Sequence, residues 1–284
     1  MRLSAGTRRA IVALGLALAA VGGVAMFMTQ DSIDPTAFAA PGYRMSSATD
    51  ASCPTALTGR SLIVTQPSFG TVQGRPRLPL DAGEYVLTID DGPSPHTAAL
   101  LEILAKYCVK ATFMDIGRNA DRLPESVKAQ LTAGHGVGSH SYSHGGFGAM
   151  DEAARNADIL RGADAVVRAA TGRPRSLSSA AFYRTPGDAG VPLLTPDAWL
   201  AYLASQHLTL AGYDISPQDW KNDPPAVTYQ RLFFGLPDRG VIVLHDGPAN
   251  TPMLLDMALD GLQRRGAHIV SIKLPTFSRQ DAAK

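Results

Sequence analysis

Cysteine and net charge are both scarce in this chain of 284 residues. It has two cysteines, whose spacing fits neither a Cys-x-x-Cys redox pair nor a cysteine-based zinc knuckle. The formal net charge of +1 leaves no large basic field, so we expect no nucleic-acid partner. Apolar residues make up 45% and charged residues 18%, which is the balance of a globular chain rather than a disordered one. The length is enough for one large domain or two small ones.

The two cysteines, Cys53 and Cys108, allow two interpretations. In an oxidising compartment they can form a single disulfide. Alternatively, Cys108 ends a predicted helix as a small buried hydrophobic residue, which is a common environment for free cysteine. The sequence leaves both interpretations open.

Residues 1–30 carry a targeting signal. Positive charge at Arg2, Arg8 and Arg9 precedes an uncharged, mostly apolar run over residues 10–28. This pattern is typical of a secretory signal peptide, and the run is also close to the ~20 residues that span a bilayer. We therefore expect either a cleaved signal peptide or an uncleaved anchor in the inner membrane. In both cases the folded domain lies in the periplasm or at the cell surface.

Residues 31–80 are rich in Ser, Thr, Pro, Gly and Ala, which predicts a linker and an irregular lead-in with one short strand at 62–65. Over residues 81–278, short apolar runs alternate with helical stretches, which predicts an α/β domain with a parallel sheet. Because about seven strands are expected and no Gly-x-Gly-x-x-Gly loop is present, we predict a distorted (β/α) barrel. The predicted strands are 85–89, 110–116, 136–140, 180–184, 209–214, 241–245 and 268–272. The predicted helices are 97–107, 124–134, 151–172, 196–207 and 253–265.

Polar side chains stand at the ends of most of these strands. In a barrel of parallel strands, the carboxyl ends meet at one mouth, where functional residues lie. We therefore expect these side chains to share a single site. The residues at the strand ends are Asp90, Asp91, His140, Arg184, Asp214, His245 and Asp246.

A pair of histidines, one of them at a strand end, indicates a metal site. His140 and His144 are four residues apart, and on a helical turn this spacing places both imidazoles on one face. Two solvated histidines can have the same spacing, so the pair alone is ambiguous. The adjacent carboxylates of Asp90 and Asp91 precede a Gly-Pro turn and cannot both face the core. Two histidines and one of these aspartates form the ligand set of a catalytic zinc site with positions left for water and substrate.

A hydrolytic metal site also needs a base and an acid. The aspartate that does not bind metal can accept a proton from water, and Arg184 can orient it through a charge-assisted hydrogen bond. His245 can protonate the leaving amine, and Asp219 can hold its second ring nitrogen. The sequence therefore indicates hydrolysis of an amide or an ester.

At these residues the chain resembles the polysaccharide deacetylases of carbohydrate esterase family 4, which share the NodB homology domain. The resemblance covers about residues 84–275 and includes all five family motifs in order. The motifs are Thr88-Ile89-Asp90-Asp91-Gly92-Pro93, His140-Ser141-Tyr142-Ser143-His144, Arg184-Thr185-Pro186-Gly187, Asp219-Trp220 and Leu244-His245-Asp246. The resemblance implies that Asp90 is the general base and that Asp91, His140 and His144 bind the metal, expected to be Zn2+ or alternatively Co2+.

The fourth and fifth motifs imply the remaining acid–base groups and part of the substrate pocket. His245 is implied to be the general acid, with Asp219 orienting it. Trp220 is implied to line the sugar pocket and Leu244 the acetyl pocket. Arg184, in the third motif, is implied to orient the base.

The third motif also carries a departure from the family. The backbone amide after Pro186 is implied to help form the oxyanion hole, and in this chain that amide belongs to Gly187 rather than to the usual aromatic residue. The N–H remains, so oxyanion stabilisation can survive. The missing ring removes a wall of the substrate groove.

These implications lead to one expected function and two alternatives. We expect a metal-dependent hydrolase that removes N-acetyl groups from an N-acetylglucosamine-containing polysaccharide or oligosaccharide, such as peptidoglycan or chitooligosaccharide. Hydrolysis of an O-acetyl ester on a glycan is one alternative, because the same attack by metal-activated water serves both bonds. A catalytically silent carbohydrate-binding domain is the other, and the intact base, ligands and acid argue against it. We expect the chain to act as a monomer.

Overall fold

The computed structural model describes residues 57–176, 180–188 and 196–275. The targeting signal predicted over residues 1–30 lies outside the described residues. Within the described ranges, no helix combines the length and the apolar character needed to cross a membrane.

The described ranges contain nine strands in one sheet, and all of their pairings are parallel. The sheet order is β1-β9-β3-β4-β5-β6-β7-β2, and β8 pairs with β3. The strands are β1 Thr58–Ile63, β2 Ser68–Phe69, β3 Glu84–Asp90, β4 Thr112–Asp115, β5 Gly136–Ser139, β6 Ala181–Tyr183, β7 Leu208–Ala211, β8 Gly240–His245 and β9 His268–Lys273.

Strands β3 to β8 close into a ring. Pairing runs in chain order from β3 to β7. Beyond β7, Ile215 forms a parallel bridge to Ile242 of β8, and β8 pairs with β3 along its length. The predicted distorted α/β barrel of parallel strands is therefore confirmed. The ring contains six of the described strands. The other three lie outside it: β9 pairs with β3, β1 pairs with β9, and β2 pairs with β7.

The lead-in contains more regular structure than the sequence predicts. Strand β1 begins at Thr58 and pairs with β9, and the two-residue strand β2 pairs with β7. No residue of β1 is buried, so this strand lacks the alternating apolar pattern by which a half-buried strand is recognised.

Seven α-helices occur in the described part of the chain, of which the sequence predicts all but α2 and α6. For α4, both predicted ends are confirmed: Asp151 Oδ1 accepts a hydrogen bond from Ala154 N–H at 2.8 Å, and Gly172 ends the helix at a φ of 70°. Cys108, just after α1, is disulfide-bonded, whereas Cys53 lies outside the described residues. The helices are α1 Thr97–Lys106, α2 Gly117–Arg122, α3 Pro124–Thr132, α4 Glu152–Thr171, α5 Pro196–Ser205, α6 Pro225–Gly235 and α7 Thr251–Arg264.

The core lies on both faces of the sheet. Leu87 and Ile89 of β3 pack with residues of α1 and α7 in one buried cluster. Val86 of β3 and Val241 and Val243 of β8 belong to a second cluster, on the face that these helices do not cover. Successive residues of a strand thus point to opposite faces. This alternation decides which side chains of β3 and β8 reach the site.

Candidate active site

The ends of five ring strands meet at one cavity of about 370 Å³. Asp90 ends β3 and stands directly opposite His245, which ends β8. Of the polar strand ends predicted to share a site, Asp90, Asp91, His140, Arg184 and His245 do line this cavity. Its lining comprises Asp90, Asp91, His140, His144, Arg184, Thr185, Gly187, Tyr213, Ser216, Trp220, Val243 and His245.

Asp91, His140 and His144 converge at the cavity, with one ligand atom of each within 4.8 Å of the others. Asp91 Oδ1 lies 3.1 Å from His144 Nε2 and 3.5 Å from His140 Nε2. This oxygen is buried, yet it has no hydrogen-bond partner of suitable geometry among the described residues. A buried carboxylate oxygen without a partner is costly unless a cation binds it, so the residues present fit a divalent metal.

The ring orientation of His140 suits metal binding. Its Nδ1 lies 2.9 Å from the backbone oxygen of Arg184, which directs Nε2 toward Asp91. Metal-binding histidines commonly donate their other ring N–H in this way. Burial also lowers the pKa of His140, which favours the neutral imidazole that a metal needs. Burial raises the pKa of Asp91, but the nearby His144 and His140 outweigh burial and lower that pKa to about 2, so the carboxylate is ionised.

The backbone around the ligands departs from the predicted helical turn. Asp91, Ser141 and His144 adopt left-handed φ angles of 71°, 61° and 59°. The expectation that His140 and His144 share a helical face is therefore wrong. The residues between them form a loop, in which Ser141 and His144 have left-handed backbone angles. Such residues cost on the order of 1–3 kcal/mol each and persist where surrounding contacts fix them.

Asp90 and Arg184 form a buried ion pair. Arg184 Nη1 donates to Asp90 Oδ1 at 2.6 Å and to Thr88 Oγ1 at 2.8 Å. The other guanidinium nitrogens donate to the backbone oxygens of Ala211 and Gly212 at 2.8 and 2.9 Å. Both side chains are almost fully buried, so the pair is strong and its geometry is fixed. Arg184 thus holds one oxygen of Asp90 and leaves the other, Oδ2, 3.8 Å from His140 Nε2.

His245 is held by Asp219, which lies in a short 3-10 helix after β7. Asp219 Oδ1 lies 2.8 Å from His245 Nδ1. Burial lowers the pKa of His245, but the hydrogen bond and charge of Asp219 outweigh it and raise that pKa to about 9. The imidazole is therefore protonated at neutral pH and available as an acid.

The structure does not bring Leu244 to the cavity. Leu244 is fully buried in the cluster that contains α1 and α7. Its neighbour Val243 lines the cavity instead, because Val243 and His245 point to the same face of β8. The alternation of side chains between the two faces of a strand could have identified Val243 from the sequence, because it places Val243 on the same face as His245. Tyr213 and Ser216 also line the cavity and lie outside the motifs, and Thr185 lines it as a member of the third motif without a predicted role.

Gly187 and Trp220 line the cavity as predicted, whereas Pro186 is buried and does not line it. Gly187 has a φ of 67°, and a Cβ built there meets no atom of the described residues within 4 Å. Among these residues, none takes the place of the ring that the family pattern has at this position. Trp220 is 55% exposed, so its ring forms an accessible wall.

Asp214 and Asp246, predicted at strand ends, lie just beyond β7 and β8, and they form hydrogen bonds within the barrel instead of lining the cavity. Asp214 Oδ2 accepts from Val241 N–H at 2.8 Å, and its Oδ1 accepts from the backbone N–H and hydroxyl of Thr71. These bonds lie next to the bridge that closes the ring. Asp246 is fully buried and accepts hydrogen bonds from the hydroxyls of Ser94 and Thr97.

Asp115, at the end of β4, is a buried structural group. It is fully buried and accepts a hydrogen bond from Gln130 Nε2 at 3.2 Å. Burial raises the pKa of Asp115 to about 8, so the carboxyl is largely protonated at neutral pH. It does not line the cavity.

The strand ends of this parallel barrel bring together a buried carboxylate, a protonated imidazole and three side chains that fit a cation, which is an arrangement that suits the chemistry of a hydrolase. The family model for polysaccharide deacetylases matches residues 78–189. The chain is similar to a peptidoglycan-N-acetylglucosamine deacetylase of Bacillus cereus, at 28% identity over 200 residues, which cover 68% of this chain and 68% of that protein. It is also 28% identical to a chitooligosaccharide deacetylase of Rhizobium leguminosarum bv. trifolii, over 59% of this chain and 73% of that protein.

A solved structure extends this similarity. A family 4 carbohydrate esterase from Streptomyces lividans, in complex with acetate, superposes with a TM-score of 0.55 at 30% identity. The match covers 68% of this chain and 93% of that one. The chain belongs to the polysaccharide deacetylases of carbohydrate esterase family 4.

Proposed function

We propose that this chain is a metal-dependent deacetylase that removes N-acetyl groups from an N-acetylglucosamine-containing glycan. The observation that carries the proposal is the buried Asp91 Oδ1, which has no well-oriented hydrogen bond among the described residues and faces the Nε2 atoms of His140 and His144 in the same cavity as Asp90 and His245. The substrate class is that of the relatives, which are named for peptidoglycan N-acetylglucosamine and for chitooligosaccharide.

Asp91, His140 and His144 would hold the metal, which we propose to be Zn2+ or Co2+. The chemistry that such a cation supplies when bound is polarisation of the scissile carbonyl and acidification of water in the site. Two imidazoles and one carboxylate leave positions for water and substrate. The ionised state of Asp91 and the neutral state favoured for His140 both support cation binding.

Asp90 would act as the general base. Its Oδ2 faces the triad, 3.8 Å from His140 Nε2, and it would accept a proton from water bound in the cavity. Arg184 occupies Oδ1 and keeps the carboxylate from rotating. Asp90 and Asp91 thus have different tasks although they are adjacent, because one is paired with a guanidinium and the other with imidazoles.

His245 would act as the general acid, giving its Nε2 proton to the departing amine. Its pKa of about 9 keeps the proton in place at neutral pH. Asp219 would orient the ring and stabilise its charge. The backbone N–H of Gly187 is the proposed donor to the oxyanion, and Val243 is proposed to line the pocket for the acetyl group.

The site of action would be outside the cytoplasm, at the periplasmic or outer cell surface. This part of the proposal rests on the charged and apolar pattern of residues 1–30. A bond within a cell-wall glycan is accessible to an enzyme in that compartment.

The test is release of acetate and of free amine from three substrates in the presence of Zn2+ or Co2+. The substrates are N-acetylglucosamine oligomers, peptidoglycan and O-acetylated xylan, and the Asp90→Asn variant serves as the control for contaminating activity. The proposal predicts equal amounts of acetate and free amine from an N-acetylglucosamine substrate. Acetate from xylan alone, with no new amine, would identify an O-acetyl esterase and contradict it.

A further inference from the structure

The segment of residues 141–143 joins the two histidines of the proposed metal site. Ser141 and His144 have left-handed φ angles of 61° and 59°, which L-residues rarely adopt. Such a backbone persists only where neighbouring groups fix it. The contacts of this segment therefore decide where the His144 imidazole lies.

Asp158, on α4, accepts hydrogen bonds from the two amides at the centre of this segment. Its Oδ1 and Oδ2 lie 3.1 and 3.3 Å from Ser143 N, and Oδ2 lies 3.3 Å from Tyr142 N. The backbone oxygen of Asp158 also accepts from Tyr142 N–H, at 3.1 Å. A carboxylate on a twenty-residue helix thus anchors the segment to a rigid element.

Two helices approach the segment closely. Gly162 of α4 lets that helix approach, since a Cβ there would lie 2.3 Å from the carbonyl carbon of Ser141. At the start of α2, the backbone N–H groups of Gly117 and Arg118 donate to the carbonyl oxygens of Ser141 and Tyr142 at 2.8 and 3.1 Å. Helix α2 thus fixes the carbonyls, and the Asp158 carboxylate fixes the amides.

We propose that Asp158 is a positioning residue of the metal site: its carboxylate holds the 141–143 segment in the conformation that sets His144 Nε2 against Asp91 Oδ1. These two atoms lie 3.1 Å apart. Asp158 acts through the backbone and contacts no atom of the triad side chains. The inference rests on the proposed metal site, and it assigns to Asp158 an effect on metal affinity.

The test compares Asp158→Ala and Asp158→Asn with wild type and with Asp164→Ala. Asp164 is on the same helix, but its Oδ1 pairs with Arg175 Nε at 3.1 Å, so it is the matched control. The Zn2+ dissociation constant of each metal-free protein is measured by competition with a chromophoric chelator. The visible spectrum of the Co2+-loaded protein reports the ligand geometry.

We expect Asp158→Ala to weaken Zn2+ binding by ~10- to 100-fold and to change the Co2+ spectrum. Asp158→Asn, which keeps one acceptor oxygen, should fall between Asp158→Ala and wild type, and Asp164→Ala should match wild type. Unchanged affinity and spectrum in a folded Asp158→Ala protein would overturn the inference. If Asp158→Ala does not fold, the same comparison with Asp158→Asn decides it.

The test of Asp158 can fail or succeed independently of the proposed deacetylase activity, because metal binding is measured without any substrate. A wild-type protein that binds Zn2+ but releases no acetate contradicts the proposed function, and the Asp158 comparison still stands. A wild-type protein that binds no divalent metal overturns both.

Discussion

Asp219 contacts His245 at two points. Its Oδ1 lies 2.8 Å from the ring Nδ1, and its Oδ2 accepts the His245 backbone N–H at 2.8 Å. One carboxylate therefore fixes both the position of the residue and the orientation of its imidazole. The same contact raises the pKa of His245 to about 9, which couples geometry to protonation.

Replacing Asp219 with Asn should move the alkaline limb of the activity profile to lower pH. Asparagine removes the negative charge that stabilises the imidazolium, so the pKa of His245 should fall by ~1–3 units. Because His245 must be protonated to act as an acid, kcat at neutral pH should fall by up to ~10-fold. The measurement is kcat against pH for both proteins on an N-acetylglucosamine oligomer.

The same pKa shift has a stability consequence with a definite sign. A raised folded pKa stabilises the folded chain at pH values below the unfolded pKa of ~6.5, and this contribution is lost as pH rises through about 9. Asp219→Asn should therefore reduce the free energy of unfolding more at pH 6 than at pH 10. An unchanged alkaline limb together with an unchanged pH dependence of stability would exclude the assigned role of Asp219.

The Asp90→Asn variant should keep its metal and lose turnover. Asparagine preserves the shape of the side chain and can still contact Arg184, but it cannot accept a proton from water. We expect kcat to fall by ~100- to 10,000-fold. Metal content, measured by atomic absorption, should equal that of wild type. Loss of metal from this variant would mean that the roles of Asp90 and Asp91 are exchanged.

Val243 and Leu244 should respond differently to truncation, although both are buried. Val243→Ala enlarges the cavity beside the acetyl group, so kcat/KM for N-propionyl relative to N-acetyl substrate should rise by about five-fold or more. Leu244→Ala leaves that ratio unchanged and lowers the free energy of unfolding by ~2–5 kcal/mol, because Leu244 packs against the helices. A ratio altered by Leu244→Ala alone would restore Leu244 as the acyl-pocket residue.

The fold was predictable where the apolar pattern was strong. Strands β3 and β8 are fully or almost fully buried, so their apolar runs identify them. Strand β1 is not buried, and β2 has only two residues, so neither shows the alternation of apolar and polar residues that identifies a strand. Helix α2 has six residues with the polar sequence GRNADR, which is too short and too polar to show a face.

The site was predictable only where residues are adjacent in a motif. Asp91 and the two histidines follow from short spacings, and their convergence follows from the rule that parallel strand ends meet. Asp158 is separated from Ser143 along the chain, and its role depends on the packing of α4, which no local pattern reveals. The prediction of Leu244 came from its position in a motif, whereas the alternation of side chains along β8 directs Val243 to the cavity and Leu244 to the core.

The most direct test of the central claim is Zn2+ titration of the chelator-treated wild-type protein, with activity on an N-acetylglucosamine oligomer followed throughout. The account predicts that activity is lost with the metal and returns at one equivalent of Zn2+. It also predicts that Asp91→Ala and His140→Ala retain no metal and regain no activity. Full activity in the metal-free protein, or in either metal-depleted variant, would contradict it.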